Sequence, residues 1–160
     1  MATEWVPGLS GPTAKWRSDR KGREGATGVG LQGDLGSGKT SFVQGVARAL
    51  GVAEHVTSPT FILERIYKLP IPKPNTYNLS PTTFSHLIHI DAYRLDSVEE
   101  LAHLGFEELT KEKENLILIE WPERVAHALP KNMLTIKFEF IDENIRKIEM
   151  LQCEYDAGET

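Results

Sequence analysis

The chain has 160 residues, 40% hydrophobic and 26% charged, with a formal net charge of −5. That length suits one globular domain with a proper core; the acidic balance argues against broad nucleic-acid binding, and no apolar run approaches a membrane span or a signal core. A single cysteine, Cys153, excludes an internal disulfide and a cysteine-based zinc site, so a reducing, cytoplasmic setting is expected.

Residues 1–24 hold five Lys/Arg against three Asp/Glu, a local +2 beside −7 in the remainder. Their apolar residues follow neither helical nor strand period, which predicts a flexible basic tail; a basic contact for RNA or an acidic partner is the sharper alternative. A single domain over residues 25–155 follows. Ala26–Gln32 reads as a strand, poor in composition, with Val29 and Leu31 among glycines.

Gly33-Asp34-Leu35-Gly36-Ser37-Gly38-Lys39-Thr40 then fits G-x-x-x-x-G-K-[ST]. Glycines there let successive backbone N–H groups converge on phosphate oxygens where a Cβ would obstruct them. Lys39 supplies charge to the β/γ-phosphates, the Thr40 hydroxyl is a ligand for Mg²⁺, and Ser41 continues into the helix whose positive end faces the anion. The bland alternative is a Gly-rich surface turn before a helix. That helix is expected over Lys39–Leu50, with Phe42, Val46, Ala49 and Leu50 on one face and Gly51 as its stop.

Phe61–Tyr67 alternates partly enough for a strand. Leu69–Thr83, with Pro70, Pro72, Pro74 and Pro81, is expected to be an exposed loop. Ser85–Ile90 is a second strand that ends at Asp91. Ser97 caps a helix with Glu100 three residues on, and Gly105 ends it. Leu116–Ile119 is the continuous apolar run of a buried parallel strand, ending at Glu120. Pro122 opens a helix to about Leu129. Leu134, Ile136, Phe138 and Phe140 alternate on one strand, Asp142-Glu143-Asn144 turns the chain, and Ile145–Leu151 returns antiparallel.

The expected class is therefore α/β: a three-layer, P-loop NTPase-like fold with a mostly parallel sheet and a C-terminal antiparallel hairpin. Parallel sheets bind ligands beyond the carboxyl ends of their strands. The Gly33 loop, Asp91 and Glu120 all fall there. A phosphate loop and two carboxylates at one edge are what a Mg²⁺–ATP site requires, although either acid alone reads equally as a cap or a solvated loop residue. His55, His86, His89, His103 and His127 lack metal-ligand spacing and read as structural or solvated, His89 merely as part of the strand entering Asp91. Cys153 reads as packing rather than nucleophile. No [NT]-K-x-D segment supports guanine recognition.

Five stretches in order resemble the TsaE family of bacterial ATPases needed to make threonylcarbamoyladenosine in tRNA: GDLGSGKT at 33–40, SPTF at 58–61, HIDAYRL at 89–95, ELAHLG at 100–105 and IEW at 119–121. The resemblance implies that Lys39 and Thr40 serve phosphate and magnesium and that Asp91 and Glu120 are the two essential acids. It implies a γ-phosphate-sensing Thr60, a site-adjacent Trp121 and, more weakly, a nucleotide contact by the hairpin residue Arg146. It further implies ATP and Mg²⁺ as ligands, TsaD-like and TsaB-like partners, and contact with tRNA only through their complex. Three departures accompany it: no amphipathic helix in the first 25 residues, a longer Leu69–Thr83 connection, and Ser37 where alanine is usual. A P-loop small-molecule kinase and a non-catalytic nucleotide-gated module are the competing classes.

Overall fold

Leu116, Ile117, Leu118 and Ile119 leave no polar face, and the strand they form lies at the centre of a sheet. The computed structural model describes residues 25–59, 62–70 and 84–152. Six strands are present: β1 (Thr27–Gln32), β2 (Glu64–Lys68), β3 (His86–Asp91), β4 (Asn115–Glu120), β5 (Leu134–Phe140) and β6 (Arg146–Gln152). Their order is β2-β3-β4-β1-β5-β6. β3, β4, β1 and β5 are parallel, while β2 and β6 pair antiparallel at the two edges. β4 is buried at every residue.

Side chains alternate across this sheet and make two cores. Val29, Leu31, Leu87, Leu116, Leu118, Ile136 and Phe138 pack under helix α1 (Lys39–Ala49). Ile88, Ile90, Ile117 and Ile119 pack on the other face against α2 (Val98–His103), α3 (Phe106–Lys111) and a 3₁₀ segment, Pro122–Ala128. This is the expected three-layer P-loop arrangement. One of the glycines that weaken β1 as a sequence signal has a packing cause: a Cβ at Gly28 would stand 2.6 Å from the Met133 side chain. No helix among the described residues is long and apolar enough to cross a membrane.

Several boundaries differ from the sequence expectation. The face of α1 is centred one residue later, on Val43 and Ala47; Phe42, Val46 and Leu50 flank it half-buried and Ala49 is exposed. β2 begins at Glu64 rather than Phe61, because the N–H groups of Ile62 and Leu63 both bond to the Pro59 carbonyl in a turn, with Leu63 at φ 67°. Ser97 does cap α2, accepting from the Glu100 N–H. Gly105, expected only as a stop, also starts α3 in a left-handed conformation, φ 72°. The Pro122 helix is 3₁₀ and kinked at Val125. The expectations for residues 1–24, for Cys153 and for most of the Pro-rich loop (71–83) lie outside the described residues.

Candidate active site

The carboxyl ends of β1, β3 and β4 meet at one edge of the sheet, in fixed register: Leu31 opposite Glu120, and Glu120 opposite Asp91. Gly33 leaves β1 at φ 145°, where a Cβ would fall 2.3 Å from the Phe138 carbonyl oxygen. Gly36 (φ 77°) and Gly38 (φ 104°) also take left-handed conformations, and nothing within 4 Å would meet a Cβ at either. Glycine is needed at these two for backbone shape alone. Gly38 is the N-cap of α1 and has no side chain to bond the first free N–H groups; no acidic residue follows in the first turn. An anion is the natural partner for such an end.

Lys39 is buried although charged. Its Nζ donates to the carbonyls of Gly33 and Asp34, the latter at 2.9 Å, and lies 3.9 Å from the Trp121 ring centroid. Burial lowers its pKa below the ordinary lysine value, opposed by the nearby charges of Glu120, Glu123, Asp91 and Asp34. Thr40 Oγ1 donates to Glu120 at 2.9 Å (Oε1) and 3.1 Å (Oε2). Asp91 accepts from Ser58 Oγ at 3.2 Å and from the Tyr93 N–H at 3.0 Å. Trp121 follows Glu120 at φ 59°, ψ 49°, tied by its N–H to the Leu31 carbonyl. Its ring meets Tyr93 at 5.1 Å.

Around these groups lies a cavity of about 250 Å³. Of the residues expected at the site, Leu35, Gly36, Gly38, Lys39, Thr40, Ser41, Asp91, Glu120 and Trp121 line it. Gly33, Asp34 and the buried Ser37 are not among its lining residues; Asp34 contributes its carbonyl to Lys39. Thr60 lies outside the described residues. Arg146 is not brought to the cavity: it donates to the carbonyls of Asp142 and Ile145 and stacks on Phe140 in the hairpin. Ser58 and Tyr93 line the cavity as well, each known from the sequence only as part of a longer motif.

His89, expected only as part of the strand entering Asp91, belongs to the site. It is fully buried, with Nε2 2.8 Å from Glu120 Oε1. Strand alternation carried the signal, since His89 and Asp91 are two apart and share a face. The other histidines agree with the structural or solvated reading: His55, His103 and His127 are exposed, and His86 bonds Ser85.

No cluster of three or more His, Cys, Asp or Glu suited to a metal occurs among the described residues. Asp91, Glu120 and the Thr40 hydroxyl form instead a small, all-oxygen donor set. That fits Mg²⁺, which keeps water and phosphate oxygens in its shell rather than taking an all-protein cage.

The family model for the threonylcarbamoyl adenosine biosynthesis protein TsaE matches residues 13–148. The chain is 37% identical over 138 residues to the tRNA threonylcarbamoyladenosine biosynthesis protein TsaE of Treponema pallidum, covering 85% of this chain and 90% of that protein. It is 40% identical over 117 residues to its namesake in Rickettsia prowazekii, covering 72% and 71%. The crystal structure of Bacillus subtilis YdiB superposes with a TM-score of 0.56 at 26% identity, over 84% of this chain and 73% of that one. With the phosphate loop, both strand-end acids and the sheet order in place, the chain belongs to the TsaE family.

Proposed function

We propose that this chain is a Mg²⁺-dependent ATPase that supports threonylcarbamoyladenosine formation at adenosine 37 of tRNA, working with TsaD-like and TsaB-like proteins in the cytoplasm. The observation that carries the reading is the joint placement of the Thr40 hydroxyl, Glu120 and Asp91 beside the uncapped start of α1. The family assignment supplies the process; the relatives' names supply the tRNA.

In this reading the loop N–H groups hold the β/γ-phosphates and Lys39 leaves its carbonyl partners to neutralise them. Thr40 and Asp91, with Glu120 in support, hold Mg²⁺, which when bound spreads the negative charge of the phosphates. Glu120 orients water and accepts its proton on a carboxylate oxygen. The water oxygen bonds to the γ-phosphorus as the bond to the β–γ bridging oxygen breaks, giving ADP and phosphate. Among the described residues no arginine lines the cavity; in this reading the isolated chain turns over slowly and a partner completes the site.

The test is ATP hydrolysis with and without TsaB and TsaD, combined with a pull-down. Stimulated turnover that is lost in Lys39→Ala and in Glu120→Ala supports the assignment. Undiminished turnover in both overturns it; phosphate transfer to a metabolite favours a kinase, and tight binding without turnover a nucleotide-gated module.

A further inference from the structure

Leu87, His89 and Asp91 alternate onto the α1 face of β3, between Leu116 and Leu118 of β4 on one side and Arg65 and Tyr67 of β2 on the other. Position 89 is fully buried in this setting, opposite Leu118 in register. An aliphatic side chain would suit it; an imidazole is costly there unless it is bonded. The bond it makes is to Glu120, one diagonal step along the neighbouring strand, at 2.8 Å.

A carboxylate oxygen only accepts, so the contact requires the proton on Nε2. Nδ1 has no partner among the described residues. A proton there would be a buried donor with nothing to receive it. The ring is thus held in one tautomer with its N–H aimed at Oε1.

Asp91 accepts from Ser58 and the Tyr93 N–H, whereas Glu120 meets His89 on Oε1 and the Thr40 hydroxyl on both oxygens. We propose that His89 is a positioning residue: its Nε2–H anchors Glu120 Oε1, and this turns Oε2 toward the reacting water. The kinetic half of this inference rests on the hydrolytic reading; the hydrogen-bond half stands on geometry alone.

The test compares His89→Gln, which keeps an N–H donor of similar reach, with His89→Leu, which keeps the volume and loses the donor. In the full chain with TsaB and TsaD, kcat falls about 10- to 100-fold in His89→Leu and stays within about threefold of the parent in His89→Gln, the range expected for one hydrogen bond to a charged group. The Kd for ATP is unchanged in both. Equal kcat in the two variants overturns the proposal, as does a loss that appears in Kd rather than kcat.

A second measurement needs neither turnover nor a substitution. Long-range ¹H–¹⁵N NMR of histidine-labelled protein shows the proton of His89 on Nε2, and a proton on Nδ1 alone overturns the proposal even if His89→Leu fails to fold. A parent chain that binds ATP without hydrolysing it overturns the hydrolytic reading separately, and the tautomer then decides the role of His89.

Discussion

The ammonium of Lys39 stands 3.9 Å from the centre of the Trp121 ring, and Trp121 holds that ring from a left-handed backbone, φ 59°. A cation over an aromatic face contributes about 0.5–2 kcal/mol. Trp121→Ala and Trp121→Gly both lose this contact, so nucleotide affinity falls about 3- to 10-fold in each by isothermal titration. They differ in stability. The left-handed conformation costs alanine about 1–2 kcal/mol, more than the roughly 0.5–1 kcal/mol of extra entropy glycine loses on folding. Trp121→Gly should therefore melt about 1–2 °C above Trp121→Ala; the reverse order would contradict the strain.

Glu120→Gln keeps an amide oxygen for His89 and Thr40 but removes the proton acceptor. Partner-stimulated phosphate release should fall by at least about 100-fold. ATP affinity should stay within about threefold. Rapid turnover in this variant would move the base elsewhere.

Gly33 and Gly36 separate folding from binding. Gly33→Ala drives a Cβ against the Phe138 carbonyl at 2.3 Å, so β1 and β5 must part; a loss of about 3 kcal/mol is expected in denaturant unfolding. Gly36→Ala meets no neighbour and carries only conformational strain of about 1–2 kcal/mol. Its larger effect should be on nucleotide affinity, because the new methyl occupies the rim of the phosphate loop.

Glu64 lies half-buried on β2, its Oε2 without a partner among the described residues, and burial raises its pKa above the ordinary glutamate value of 4.5. The folded chain then holds this proton at pH values where the unfolded chain has released it, so stability falls as pH rises from 4.5 through the folded pKa. Glu64→Gln should raise Tm at pH 7 by about 1–3 °C, and the gain should vanish below pH 4.5. Melting curves at several pH values would show it; a gain that persists in acid would rule out the carboxylate as the cause.

Asp91 and Glu120 were legible because each ends an apolar segment, and the loop was legible by its own motif although the strand before it reads poorly. Leu116–Ile119 is apolar on both faces, and the Leu134–Phe140 alternation fixes a hairpin. Position 89 was less legible, since its partner is 31 residues away and only the register of two parallel strands brings them together. The start of β2 was hidden for a different reason: Ile62 and Leu63 are apolar enough for a strand, yet the Pro59 carbonyl captures their N–H groups. α3 was missed because Gly105 reads as an ending, although a left-handed glycine can as well turn the chain into a new helix.

β6 has a neighbour on one side only among the described residues, and Ile148 and Met150 stand exposed on the face it shares with Phe138. Its other face carries Lys147 and Glu149, paired with each other and, through Lys147, with Glu139. An open strand edge with apolar residues is a template for further strands, and charged residues beside it discourage that addition. Colloidal behaviour is then set by a contest within one strand. Raising the ionic strength screens the charges and leaves the apolar face intact, so concentrated protein should lose solubility with salt before its fold is touched.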